Sequence, residues 1–459
     1  MKKSLLALFL ILVLAAFGES QVSQTGSIRG FVTDQNEDPL PGVSVTVTGP
    51  ALMGKQTTIT NESGVFRVPS LPPGEYEVKL ELPGFKTLIQ KNIIVRVGMT
   101  VEVNFQMEQS QIEEEVVVTA TAPTVDIVNT KNAKNLTEEI LAKVPLARSV
   151  YSAIQLAPGT VERTIHGSAR NDAAYSIDGV VTNAPDQNYG EANISWDMIE
   201  EIELITAGAT AEAFNAIGGY INVVTKSGGN KFSGAAQAYY TNENMANIIM
   251  PEESLDALGL SKPQFAKYDW ETSGTLGGPI FKDRIWFLGN LRVARQTRYG
   301  TFRPTVILGK KYDTYDWIYN QYWGFLKLTT QLRENLRAFF MLSYHNQHRP
   351  NISRAWNLTR EANTDHQTKA WTGTGNINWT LDANTFIDAR YGFWYFNYDG
   401  TTPVEDVIGQ PSFIDGYTSY RWGYPWASDF TRKRVAQGSV KLTRFQDDFL
   451  GGDHEFKAG

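Results

Sequence analysis

"TFIDARYGFWY", residues 385–395, alternates along its length. In an extended chain Thr385, Ile387, Ala389, Tyr391, Phe393 and Tyr395 fall on one side, and Asp388 and Arg390 on the other. The stretch before it, residues 371–381, repeats the pattern. Trp371, Ile377, Trp379 and Leu381 oppose Thr372, Thr374, Asn376, Asn378 and Thr380. Asp382-Ala383-Asn384 between them is a short link, and Arg333-Glu334-Asn335 is another. In 285–298 the apolar side is Ile285, Phe287, Leu291 and Val293, against Asn290, Arg292, Gln296 and Arg298. Long polar segments, 346–369 and 399–432, alternate with the short links. Aromatic residues gather near strand ends, from Tyr391 to Tyr398 and at Trp422, Tyr424 and Trp426. One apolar face, one polar face, aromatic ends and turns of two lengths predict an outer-membrane β-barrel over 231–459. A large soluble β-sandwich would also alternate, but needs neither so aromatic an apolar face nor turns so unequal.

Composition agrees with several cores and no thiol chemistry. The chain has 459 residues, long enough for more than one domain. It contains no cysteine, which removes disulfides and a lipoprotein anchor. A net charge of −7 gives no footprint for nucleic acid. Lys2 and Lys3 followed by the apolar run Leu5–Phe17, with Ala16 and Gly18 spaced for cleavage, read as a secretory signal over 1–18. That run is short of the roughly 20 residues a spanning helix needs. Any membrane crossing is then expected from strands.

Between signal and barrel lie three further segments. Residues 25–108 alternate at Val43, Val45 and Val47, at Tyr76, Val78 and Leu80, and at Val101, Val103 and Phe105. Turn residues separate these runs at Asp38–Gly42, Asn61–Gly64, Pro72–Gly74 and Pro83-Gly84. This predicts a small antiparallel sandwich. Residues 109–123 form a linker carrying "EEEVVVTATAP" at 113–123, a strand-forming run with glutamates before it and Pro123 after it. It has no obvious neighbour to pair with, and a lone apolar strand is an aggregation hazard unless something is meant to pair with it. Residues 124–230 mix helix and strand signals. Asn135-Leu136-Thr137-Glu138 is read as a capping box with its helix ending at Pro145. Ser149 opens a second short helix closed by Pro158-Gly159, and strands follow at 175–181, 199–205 and 219–229.

These residues carry two resemblances. "GSIRGFVTDQNEDPLPGVSVTV" and "TNESGVFRVPSLPPGEYEVKLELPGFK" resemble the carboxypeptidase regulatory-like domain, a prealbumin-like sandwich that is an accessory and not the peptidase. "EEEVVVTATA" resembles a TonB box. "VPLARSVYSAIQLAPGT", "TIHGSARNDAAYSIDGVVTN" and "IEEIELITAGATAEAFNAIGGYINVVTKSGGNKFSG" resemble the plug of a TonB-dependent outer-membrane receptor of the Oar-like kind. "TLGGPIFKDRIWFLGN" resembles an early barrel hairpin of that group. Two departures weaken the transfer of individual plug contacts: His166-Gly167 stands where the group has Arg-Gly, and Phe214-Asn215 where it often has Tyr-Gly.

The resemblance implies a receptor in the bacterial outer membrane, its N-terminal domain in the periplasm, with a plug at 124–230 that gates a wide barrel. The partner would be a TonB-type energy-coupling protein, whose sheet edge takes Glu115, Val116, Val117, Val118, Thr119 and Ala120 by strand addition. The remaining partners would be outer-membrane lipid and an extracellular substrate that the sequence does not identify. Arg170, Asn171, Asp186, Gln187, Asn188 and Tyr189 are the candidate substrate-facing plug residues. An outer-membrane adhesin or polysaccharide-binding protein without transport is the alternative, and a signal transducer a third. Plugged transporters carry about 22 strands. The 229 residues after residue 230 supply eight or nine, so the chain reads as an N-terminal fragment.

Nothing points to an enzyme, a cofactor or a metal. None of the five histidines lies in His-Glu-x-x-His spacing, and no P-loop or nucleophile-elbow motif occurs. His345 and His348, three apart on a strand, point to opposite faces. "DQNEDPLPG" at 34–42 is read as a turn, since its acids lack calcium-loop spacing.

Overall fold

The computed structural model describes residues 24–459 apart from 53, 111–114, 119–130, 162–163, 170–171, 185–193, 209–217, 246–250, 252, 255–265, 299–304, 308–309, 313–315, 351–358, 360–361, 404–409, 417–420, 426–429 and 450–451. The fold is mainly β, as the alternation predicts.

The first unit is a sandwich. Its strands are β1 (Gly26–Thr33), β2 (Ser44–Thr48), β3 (Lys55–Ile59), β4 (Val65–Leu71), β5 (Gly74–Glu81), β6 (Thr87–Val95), β7 (Thr100–Glu102) and β8 (Phe105–Gln106). One sheet has β1 between β4 and β7, with β8 also on β1, and the other runs β3-β2-β5-β6. Strands β1, β2 and β5 turn alternate residues inward. Ile28, Val45, Val47, Val78, Leu80 and Ile93 are completely buried in one core. Residues 34–42 form the expected turn: Asp34 Oδ1 accepts the backbone N–H of Asn36 at 2.8 Å and of Asp38 at 2.9 Å.

One further strand completes this sheet. The strand β9 (Glu115–Val118) lies parallel to β6, with Thr87, Leu88, Ile89 and Gln90 opposite Glu115, Val116, Val117 and Val118. The segment that the sequence leaves without a neighbour therefore has one. It pairs within its own chain, at the edge of the sandwich.

The second unit is a mixed sheet with two short helices. Strand β10 (Asn132–Thr137) leads into α1 (Glu138–Lys143) and α2 (Val150–Ile154). Then come β11 (Thr160–Val161), β12 (Thr164–Ile165), β13 (Ala173–Ile177), β14 (Val180–Val181), β15 (Ile199–Ala207) and β16 (Gly219–Thr225). The sheet order is β10-β15-β16-β13-β14, so β10 is an edge. The capping box is corrected here. Thr137, not Asn135, caps α1, its hydroxyl accepting Ile140 N–H at 3.5 Å, while Asn135 still belongs to β10. Ser149 does cap α2, accepting Tyr151 N–H at 3.2 Å.

The third unit is one antiparallel sheet of nine strands. They are β17 (Ser233–Asn242), β18 (Ala266–Phe281), β19 (Ile285–Arg298), β22 (Trp317–Arg333), β23 (Leu336–Arg349), β24 (Thr364–Asp382), β25 (Thr385–Pro403), β28 (Phe430–Phe449) and β29 (Gly452–Ala458). Two small hairpins interrupt the series, β20 (Thr305–Ile307) with β21 (Lys310–Tyr312), and β26 (Ser412–Ile414) with β27 (Arg421–Gly423). The alternation read from sequence is the alternation of exposure. Leu291, Trp371, Ile377 and Tyr391 face outward, and Asn290, Arg292, Thr374 and Asn376 are buried on the inner side. The inner side is not wholly polar. Leu288, Phe325 and Met341 point inward and join the core of the second unit. That unit therefore packs against the concave wall of the sheet, as a plug does.

Candidate functional site

The plug is fixed to the wall by charged contacts, and each is placed by local backbone chemistry. Asp178-Gly179 is the two-residue turn between β13 and β14, with φ of 45° and 80°. Positive φ at both positions is the type I′ hairpin geometry that Asp-Gly favours. The turn directs the Asp178 carboxylate to Thr225, whose N–H and hydroxyl it accepts at 2.9 and 2.5 Å. Lys327 of β22 reaches in from the wall, donating to Asp178 Oδ2 at 3.1 Å, Thr225 Oγ1 at 2.8 Å and Thr225 O at 3.0 Å. The Lys327 side chain is 5 % exposed and that of Asp178 1 %, so the charges compensate each other out of water. Gly179 also lies close to the wall. An added Cβ would lie 1.8 Å from Arg390 Nη1 on β25.

A second contact lies at α2 and β18. Arg148, just before α2, pairs with Asp197 of the plug and donates through Nε to Glu271 of β18 at 2.9 Å. Glu271 also accepts from Arg292 of β19 at 2.6 Å, and the Arg292 guanidinium lies 4.2 Å from the Trp323 ring centre. Val181 and Gln437 of β28 exchange a pair of hydrogen bonds at 2.9 and 3.2 Å. Sequence reasoning did not single out Lys327, Asp178, Arg148 or Glu271. A usable signal existed for Lys327 and Glu271, which are charges in the middle of long alternating strands.

The sandwich sits against both plug and wall. Glu201, Glu203 and Asn222 share one buried face of the plug sheet. Gln24 donates to Asn222 at 2.6 Å, and Val97 N–H to Glu201 Oε1 at 3.3 Å. Asn135 donates to Glu201 and, at 3.3 Å, to Val97 O, and Lys131 pairs with Glu203. Burial pushes the Glu201 carboxyl up to about 7, against the hydrogen bonds from Asn135 and Val97 that lower it. On the wall, the sandwich meets the short turns. Lys55 lies 3.6 Å from Glu334, Arg337 donates to Ala51 O at 3.5 Å, and Arg67 lies 5.0 Å from the Phe445 ring centre. A cavity of about 1070 Å³ remains between the three units, lined among others by Asp178, Lys327, Arg337, Asp388 and Arg390.

Of the expected coupling strand, Glu115, Val116, Val117 and Val118 form β9, and Thr119 and Ala120 lie outside the described residues. Arg170, Asn171, Asp186, Gln187, Asn188 and Tyr189 also lie outside them. Their flanks are placed. Asn183 accepts Tyr175 N–H at 2.7 Å and donates to Ala173 O at 2.9 Å. Among the described residues no cluster of acidic, histidine or cysteine side chains could hold a metal.

Known proteins agree with this arrangement. Residues 27–108 match the carboxypeptidase regulatory-like domain, and residues 224–308 an outer membrane beta barrel domain. The TonB-dependent transporter Oar of Myxococcus xanthus is 31% identical over 295 residues, which is 59% of this chain and 27% of that protein. The chain thus spans about a quarter of the curated relative it matches. In fold it is similar to the outer membrane transporter YddB of Escherichia coli, with a TM-score of 0.53 and 14% identity over 70% of this chain and 47% of that one. A ferric enterobactin receptor of Pseudomonas aeruginosa gives 0.50 and 14% over 71% and 48%. With its regulatory-like sandwich, its plug-like sheet and its barrel wall, the chain is an outer-membrane protein homologous to the TonB-dependent transporter Oar.

Proposed function

We propose that this chain belongs to an outer-membrane receptor that takes up a bound extracellular substrate, gated by its plug and energised by a TonB-type partner. The observation that carries the reading is the connected path from β9 to the plug. Beyond the strand the chain returns at Lys131 and Asn132 to β10, the edge of a plug sheet held to the wall by the Lys327–Asp178 pair. An outer membrane holds no ATP, so energy has to arrive mechanically, and an edge strand is where a pull acts on a sheet. Orientation supports the same reading. The sandwich lies at the short turns, which in bacterial barrels face the periplasm. A periplasmic partner could there add a strand to Glu115–Ala120, with backbone bonds supplying affinity and alternate side chains specificity. Substrate would meet Arg170, Asn171 and Asp186–Tyr189.

The test is a Val117→Pro variant in the native full-length gene. Proline cannot donate to a ladder, so capture of a TonB-type periplasmic domain by outer-membrane extracts should fall at least tenfold. Growth that depends on the receptor should fail, with outer-membrane levels unchanged. Normal growth and normal capture would leave the adhesin reading, in which the barrel is only an anchor.

A further inference from the structure

The cavity between the three units has a definite place in the molecule. Asp178 and Lys327, which hold plug to wall, line it. So do Gln331 and Glu334 at a short turn, and Ala51 and Pro73 of the sandwich. The three joints around it differ in kind. Plug and wall share one apolar core, to which Leu288, Phe325 and Met341 contribute. The sandwich holds the plug by buried hydrogen bonds, Gln24 to Asn222 and Val97 to Glu201, and both acceptor residues are at most 1 % exposed. Between sandwich and wall the contacts are looser. Among the described residues the sandwich core draws only on 28–107. The Lys55 and Glu334 side chains are 57 % and 73 % exposed, and ion pairs so wet add little stability. Arg337 reaches Ala51 O at 3.5 Å, the long limit of a hydrogen bond, and Arg67 adds a ring contact with Phe445.

A body held firmly at one edge and loosely at another turns about the firm one. We infer that the sandwich is a hinged cap on an exit chamber. It stays on the plug at Gln24 and Val97, lifts from the wall at Ala51 and Lys55, and opens the cavity to the periplasm for a small hydrophilic solute. The inference rests on the proposed function and deepens it. A solute that passes between the plug and the wall at β22–β25 arrives in the cavity beside Lys327 and Arg390. There the sandwich stands between it and the periplasm. Lifting uncovers no apolar core shared with the wall, so it costs far less than parting plug from wall. The chamber also sets the class of cargo. Asn376, Asp388 and Arg390 offer it polar partners, and a volume of about 1070 Å³ holds a small solute and no folded domain.

Ser227→Cys places a thiol in the cavity with little change of shape, and the chain has no cysteine of its own. Asn378→Cys does the same from the wall should the first variant fold poorly. The probe is a charged methanethiosulfonate, added to purified full-length protein otherwise free of cysteine. A carbodiimide ties the cap beforehand, joining the Lys55 ammonium to the Glu334 carboxylate 3.6 Å away as an amide. Lys55→Arg keeps the charge, cannot form that amide, and controls for coupling elsewhere. Untied, the thiol should react slowly and to completion. Tied, it should react at least tenfold more slowly, with the treated Lys55→Arg protein matching the untied rate. Equal rates in tied and control protein overturn the cap and leave energised uptake standing. Two other results also overturn it: no amide-linked peptide joining Lys55 to Glu334, or a thiol that stays unreactive until the protein is unfolded. Slowing by the tie, beside a Val117→Pro variant that grows and captures its partner normally, removes the uptake reading and with it the cavity's use as an exit.

Discussion

Lys327 and Asp178 form a charge pair cut off from water between two units. Removing one member of such a pair leaves the other charged and uncompensated, at a cost of about 3–5 kcal/mol. Lys327→Met should therefore loosen the plug, read as faster protease cleavage of 131–230 in detergent-solubilised protein. Adding Asp178→Asn, which keeps an acceptor for Thr225, should recover part of the loss. Glu201 makes a different prediction. Its folded value of about 7 lies above the ordinary 4.5, so the docked state binds its proton more tightly than the open chain does. The stabilisation is complete below 4.5 and is lost as pH rises through about 7, with roughly 3 kcal/mol as an upper bound. Protection of the contact between Val97 and the plug should fall between pH 5 and pH 8. Glu201→Gln, which accepts the same N–H and cannot ionise, should flatten that profile.

At the scale of elements, the link from plug to wall is as constrained as the turns. Gly228 passes the wall so closely that an added Cβ would lie 2.2 Å from Phe287 O. Backbone cannot yield as a side chain can, so Gly228→Val should reduce the assembled, heat-modifiable form several-fold in outer-membrane preparations. Wall strands were legible in sequence because period-two alternation maps directly onto inside and outside, as Tyr391 and Arg390 show. The inward apolar residues Leu288, Phe325 and Met341 were not read, because their partner is the plug and not the lumen. Asn135 misled for a related reason. It has the chemistry of a helix cap, but a buried carboxylate, Glu201, claims its side chain instead. The pairing of β9 with β6 was likewise invisible, since strand composition marks a strand without naming its neighbour. Arg170 and Tyr189 were reached only through the family resemblance.

For the molecule as a whole, the units differ in how far along the chain their contacts reach. In the sandwich, Ser27 pairs with Thr100, and in the plug, Leu136 pairs with Ile202. In the wall every strand pairs with the next wall strand in the chain, from β17 to β29. The consequence is kinetic. Closing a loop costs entropy before any contact is gained, and distant pairings slow folding most. The largest unit can thus grow rung by rung from local hairpins, each new strand templated by the last. The two small units must wait for ends some seventy residues apart to meet, so the slow steps of maturation belong to them and not to the wall that holds them.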